Sequence, residues 1–409
     1  SYTHQGTLYI GLSQLEKPQV LSILFQMASG SANPDVATPE VQWSYLRDNE
    51  WVVLEKSDIV SDTTNSLVNT GIVRIKVPSD ATTGGTLLPD VLHWLKVSAA
   101  DNIDGISDTI DVMAQAVSAT LSGEGVAPSH FENPLSAETI SETLESIPEI
   151  ETITQPFTSG KGKPAEQGPV LYKRLSERLR HKNRALTMWD YEHIVLNEFP
   201  QVYKVKCLPG DRPGKVDVIV VPDIRGSLPF NPFAPKVAAD TLFQIREYLN
   251  THSPVQAEVE VLNPFYLQVK TRCTVKFHTG YDEGFHKAKL IDEIKRFLAP
   301  WAYDESSDIR IGGTLHVSVL INFIAERPYI DYVANMKLFQ SEDGKKFTDV
   351  RTLNNGKTIV VPDRPDMVLV SAQSHTIDIV DENGYDEDSF EGINYMQIEL
   401  DFGVGENLA

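Results

Sequence analysis

The stretch Leu171-Tyr-Lys-Arg-Leu-Ser-Glu-Arg-Leu-Arg-His-Lys-Asn-Arg-Ala-Leu-Thr-Met-Trp-Asp-Tyr-Glu192, followed by Phe199-Pro-Gln-Val-Tyr-Lys-Val-Lys-Cys207, decides how this chain is organised. Leu171, Leu175 and Leu179 recur every fourth residue with Arg and Lys between them, the pattern of an amphipathic helix. Thr187 with Asp190 three residues on reads as a capping box that opens a second helix. Tyr191, Ile194, Val195 and Phe199 form its buried stripe, and Pro200 marks its end. The period then changes. Tyr203, Val205 and Cys207 alternate with Lys204 and Lys206, so 202–208 reads as a strand.

Towards the C-terminus, a turn holding Pro209-Gly210 and Pro213-Gly214 leads into a second strand over 215–221. A helix at 237–250 carries Leu242, Ile245 and Leu249, and 257–262 returns as a strand, giving a β-β-α-β unit over 170–262. The cleanest alternation in the chain comes next, with Phe265, Leu267, Val269, Thr271, Cys273, Val275 and Phe277 on one face of a strand. A helix at 286–298, a second helix capped by Thr314 and a strand at 333–340 complete a β-α-α-β unit over 263–340. The last segment, 341–409, is acidic, and its Asn354-Asn-Gly-Lys, Asp381-Glu-Asn-Gly and Glu391-Gly pairs read as hairpin turns.

Towards the N-terminus, 123–169 is a linker punctuated by Gly and Pro, with a short helical stretch expected at 136–147. Residues 1–122 hold short β-branched and aromatic runs between turn clusters, the pattern of an antiparallel sandwich. Trp43, Trp51 and Trp94 are assigned to its core or edge, and a short helix is expected within 102–120. The expected class is therefore α+β and multi-domain: an N-terminal β-sandwich, tandem small α+β sandwiches and a β-rich C-terminal tail.

Across 409 residues, 36 Lys and Arg face 57 Asp and Glu, a net charge of −21. So acidic a surface repels phosphate backbones and anionic lipid, which argues against nucleic acid and membrane insertion. The acid is unevenly spread. Segment 123–157 has seven acidic residues and no Lys or Arg, whereas 161–184 holds eight basic and two acidic residues. A basic island between acidic neighbours suits a charge-complementary protein contact, and equally a solvated helix face. Two cysteines on apolar strand faces read as buried thiols, not as a disulfide framework. The chain opens on Ser1 instead of Met, which reads as a piece of a longer or processed polypeptide.

Motifs for chemistry fail on spacing. Gly356-Lys357-Thr358 lacks the first glycine of a phosphate loop, since Arg351 stands in its place. The acidic run from Asp381 puts Tyr385 at a calcium-ligand position and Gly392 where a bidentate Glu is needed. No His pair has zinc-ligand spacing, and no Gly-x-Ser-x-Gly elbow exists. The expectation is no catalytic site, no cofactor and no metal. A structural or interaction protein is favoured over a carbohydrate-binding sandwich on a stalk, with a hydrolase using an unrecognised carboxylate pair last.

The stretch from Gln155 to Leu208 resembles the baseplate J-like family, the wedge proteins of contractile phage tails and of related injection particles. Arg178, Arg180, Arg184, Thr187, Asp190, Tyr191, Pro200 and Val202 fall on that family's pattern, and the two α+β units, with Asn263-Pro264 between them and Ile311-Gly-Gly313 before the last helix, fit its C-terminal half. Two positions depart from it: Gln155 stands where the turn has Asn, and Lys161 splits Gly160 from Gly162. The resemblance covers roughly 140–340, and the β-rich front and acidic tail lie outside it. It implies a scaffold whose partners are other wedge subunits, including a second J-like chain, a small sheath-initiating wedge protein and the central hub. Such a particle is assembled in the bacterial cytoplasm and acts as part of a virion or after release. An N-terminal region outside this chain, in full-length relatives, is expected to help join the wedge core. The basic face of Lys173, Arg174, Arg178, Arg180, Lys182 and Arg184 is assigned to an inter-subunit contact.

Overall fold

The computed structural model describes residues 4–380, apart from 84–86, 123–125, 128, 146, 161, 163–164, 225–230, 305–306 and 351–357. The phosphate-loop-like Gly356-Lys357, the turn at 354–357, the calcium-like run from Asp381 and the turn at Glu391 lie outside the described residues.

Strands β1 (Gly6–Leu12), β2 (Gln19–Met27), β3 (Val41–Arg47), β4 (Glu50–Val53), β5 (Ile59–Asp62), β6 (Gly71–Val77), β7 (His93–Ala99) and β8 (Thr109–Ala114) build the front of the chain. They form two four-stranded antiparallel sheets, ordered β1-β7-β3-β4 and β5-β6-β2-β8. Alternate residues meet between them: Phe25 and Trp43 pack edge to face at 5.8 Å, among Ile23, Val73, Ile75 and Leu95. Trp43 is core, as its pattern implied, while Trp51 and Trp94 are half-buried on the outer face. The helix expected within 102–120 is not there. A single 3-10 turn at Ile103–Gly105 precedes β8, whose ladder to β2 supplies hydrogen bonds that a short isolated helix would have to make alone.

The linker holds one helical turn, α1 (Ser129–Glu132), but the described residues of 136–147 are turn and irregular backbone, not helix. Its Ile140, Leu144 and Ile147 recur at helical spacing yet face solvent, so no packing supports the helix.

The middle unit comprises α2 (Gly168–His181), α3 (Met188–Glu198), β9 (Val202–Pro209), β10 (Lys215–Pro222), α4 (Ala239–His252) and β11 (Glu258–Leu262). The sheet order is β11-β10-β9, antiparallel between β9 and β10 and parallel between β10 and β11. Helices α3 and α4 cover it with Tyr191, Ile194, Val195, Leu242, Ile245 and Leu249. The capping box of α3 is complete: the Asp190 amide donates to Thr187 Oγ1 at 3.3 Å, and Asp190 Oδ2 accepts from the Thr187 amide at 2.8 Å.

The third unit is centred on β12 (Phe265–Phe277), followed by α5 (Glu283–Leu298), β13 (Leu315–His316), α6 (Val317–Ala325) and β14 (Ile330–Ser341). Thr314 does not cap α6. The backbone stays extended through His316 because Leu315 and His316 pair with β16 (Ile359–Val360), and the helix starts two residues later than a Thr314 cap implies. After β15 (Thr348–Asp349), which folds back on β14, come β17 (Met367–Ser371) and β18 (Thr376–Ile379). The turn pattern of the tail places these two in hairpins of their own. Instead both join β12 in parallel, β17 along its first half and β18 along its second. Val360, Met367 and Ile377 thereby enter the core beneath α5 and α6 with Leu290, Ile294, Leu320 and Ile324, so the described part of this segment contributes core.

A further apolar cluster links the two α+β units: Val221 of β10 packs with Val368 and Val370 of β17, Trp301 and Ile309. Lys204 crosses the same seam to Asp308 at 2.8 Å and the Ile309 carbonyl at 2.7 Å. The sandwich touches the middle unit through the Ser29 hydroxyl, which donates to Asp240 at 2.6 Å, and through a Lys236–Asp35 ion pair.

Candidate subunit interface

Helix α2 begins at the Gln167 N-cap, which gives no side-chain cap, with Pro169 in its first turn. It ends at Lys182, whose left-handed backbone (φ 52°) lets its amide donate to the Arg178 carbonyl at 2.7 Å. Asn183 is also left-handed and donates its amide to His181 Nδ1 at 3.0 Å. The chain then turns into α3, and the Ala185 amide donates to the His252 carbonyl at the end of α4 at 2.9 Å. The helix is therefore anchored at its C-terminal end.

Of the three leucines whose spacing implies a buried stripe, Leu171 is half-buried, whereas Leu175 and Leu179 are exposed. An α-helix advances about 100° per residue, so Tyr172, Leu175 and Leu179 share one stripe. That stripe points outward, with Tyr172 71%, Leu175 41% and Leu179 76% exposed. Apart from the half-buried Leu171, the side turned to the protein is polar. The Asn197 amide of α3 donates to Glu177, Arg174 pairs with Glu166, and His181 is buried. Burial holds the His181 imidazole below its ordinary range despite nearby Asp190 and Glu177, which favours the neutral ring.

The six basic residues divide by use. Arg174 is held by Glu166, and the Arg180 guanidinium lies 3.7 Å over the Trp189 ring, which itself stacks on His193 at 3.8 Å. Arg184 sits in the turn to α3. Lys173, Arg178 and Lys182 are exposed. By helical position, Arg178 borders the apolar stripe on one side and Lys173 and Arg180 on the other, and Lys182 follows at the C-cap. The expected basic face is thus two cationic borders around an apolar centre. Sequence reasoning misses that centre because leucines at fourfold spacing imply core. The signal that could have found it is Glu177 and His181, polar residues on the opposite side.

Groups that resemble chemistry elsewhere are built into the core. Cys207 and Cys273 are free and buried, each pushed up to about 12 mainly by burial, so neither is a thiolate at neutral pH. Ser371 and His375 are 2.9 Å apart but buried. The Thr271 amide donates to His375 Nδ1 at 3.1 Å, and the Ser371 hydroxyl donates to the Ala372 carbonyl at 2.9 Å, so the pair ties β17 to β12. On the outer face of the sandwich, Tyr9 and Trp51 are 5.5 Å apart and tilted by 45°, with Lys96 Nζ 5.1 Å over the Trp51 ring. These rings are tilted against each other and one face is taken by Lys96, an arrangement that offers no flat platform for a sugar. Among the described residues, no group of three or more His, Cys, Asp or Glu could hold a metal, and no helix is long and apolar enough to cross a membrane.

A family model described as "Baseplate protein PVC11-like" matches residues 1–360. No curated protein matches. Among solved structures, the chain is similar to one in the "Cryo-EM structure of the anti-feeding prophage (AFP) baseplate, 6-fold symmetrised", at 16% identity over 90% of this chain and 77% of that one. The TM-score is 0.37.

Proposed function

This chain belongs to the PVC11-like baseplate proteins, and from that premise we propose that it is a wedge component of a contractile, tail-like injection particle, of the J-like kind that its 155–208 stretch resembles. Membership makes it a structural component of a baseplate that contacts other baseplate subunits. In the proposed role, several copies surround the central hub. Each joins a second J-like chain within its wedge and holds the small wedge protein at which the sheath starts. The particle is put together in the bacterial cytoplasm, and no catalytic step belongs to the role.

The observation that carries the reading is the outward face of α2, where Tyr172, Leu175 and Leu179 are exposed between Lys173, Arg178 and Lys182. An apolar centre with a charged rim is the anatomy of a protein interface, and an apolar stripe left in water disfavours the isolated chain. The test is a Lys173→Glu, Arg178→Glu, Lys182→Glu variant co-expressed with the genes neighbouring this one. Wedge or ring recovery should be lost while circular dichroism and thermal melting of the variant match the parent. Particles recovered at the parental yield would contradict the assignment.

A further inference from the structure

Immediately before α2 in sequence, the linker forms a projecting loop with a closed base. The Ser159 amide donates to the Leu135 carbonyl at 2.9 Å and the Leu135 amide to Ser159 Oγ at 2.8 Å, while the Glu138 amide donates to the Gln155 carbonyl at 2.9 Å. The Gln155 side chain completes the clip, accepting from the Ile140 amide at 3.1 Å and donating to the Phe157 carbonyl at 2.8 Å. Gln155, the residue that departs from the family turn, is therefore what closes this base. Beyond it, the tip spans 139–154, described except at 146, and carries four apolar side chains into solvent: Leu144 is fully exposed, and Ile140, Ile147 and Ile150 are each above 40%, while Ile153 is half-buried. Across 136–155 the segment has five glutamates, Glu138, Glu142, Glu145, Glu149 and Glu151, and no Lys, Arg or His.

The same chain thus displays two complementary unpartnered surfaces, an acidic arm with exposed aliphatic side chains and a helix stripe of exposed apolar side chains between cations. They do not cover each other, since Leu144 and Leu179 both stay exposed. We infer that the arm at 139–154 of one copy docks on the outward face of α2 of a neighbouring copy. The charges match in sign, the apolar centres match in character, and both surfaces are hung from anchored bases. Two legs of eight residues reach at most about 29 Å at full extension. Because the two patches differ, the contact is heterologous and propagates from copy to copy, closing to a ring when the rotation per step allows. This gives the proposed α2 interface its occupant, and it rests on the reading of α2 as a subunit contact.

Engineered cysteines on separate chains test it, because Cys207 and Cys273 are buried and give little background. A Leu144→Cys chain and a Leu175→Cys chain carrying different tags are co-expressed with the neighbouring genes, and mild oxidant is applied to the recovered assemblies. Any disulfide joining the two tags is between copies by construction. The expected result is a two-tag species at least tenfold above that of a Leu144→Cys and Val117→Cys pair, Val117 being 87% exposed just past β8 in the sandwich. Yields equal to that control overturn the inference. So does a single chain carrying both Leu144→Cys and Leu175→Cys that closes on itself while the separate chains do not join. If the cysteines fail to join but the α2 glutamate variant still blocks assembly, the arm is wrong and the α2 interface stands. If neither responds, both readings fall.

Discussion

Helices α2 and α3 are neighbours in sequence and contact each other, yet they treat the same periodicity in opposite ways. In α3 the apolar stripe of Tyr191, Ile194 and Val195 is buried, and the helix starts on a complete capping box. In α2 the apolar stripe faces water, the N-cap is unassisted, and Glu177 and His181 face the protein. Periodicity states that a helix has an apolar side; what covers that side is a property of the assembly. For α3 the cover is the chain's own sheet, and for α2 the proposed cover is a neighbouring subunit.

Four measurements break or sharpen this contrast. Ile194→Ala removes a core side chain of α3 and should cost about 2–5 kcal/mol in urea unfolding. The second concerns a polar group that is properly covered. Burial, helped by Lys295 and Lys270, pushes His375 down to about 4. The unfolded ring, with its ordinary pKa near 6.5, takes up a proton first, so stability is full above about pH 6.5 and declines as pH falls towards 4. The loss from this residue should approach about 3 kcal/mol, and a His375→Asn variant should show a flatter stability profile over that window. Third, Thr187→Ala should destabilise by about 1 kcal/mol through its capping box, whereas Gln167→Ala at the start of α2 should change little. Smallest in stability is Leu175→Ser with Leu179→Ser, expected within about 0.5 kcal/mol of the parent in unfolding. The same pair should abolish assembly. A loss of several kcal/mol there would mean that the stripe is covered within the chain, and the contrast would fail.

Much of the fold is legible from local pattern. The alternation of 265–277 sets the central strand because every second residue must enter the same core, and Thr187 with Asp190 marks a helix start because both side chains satisfy amides that the helix leaves open. What could not be read depends on distant partners. Met367–Ser371 and Thr376–Ile379 resemble hairpin strands locally, but β12 lies about a hundred residues earlier in sequence and offers an open edge. Thr314 resembles a cap, and pairing of Leu315–His316 with Ile359–Val360 delays the helix. The stretch at 136–147 has helical spacing without a surface to pack on. On α2, the basic residues are visible in composition. That Arg174 and Arg180 are occupied by Glu166 and Trp189, leaving an apolar centre between the remaining cations, needs the packing of α2 on α3.

The most direct test of the central claim is hydroxyl-radical footprinting of Tyr172, Leu175 and Leu179 in the isolated chain and in the assembled particle. The isolated chain should label at all three, as their exposure requires. In the particle, labelling of all three should fall several-fold while that of Val117, 87% exposed just past β8 in the sandwich, is unchanged. Equal labelling of the three in a particle that contains the chain would show that the outward face of α2 stays in water and that α2 is not a subunit contact.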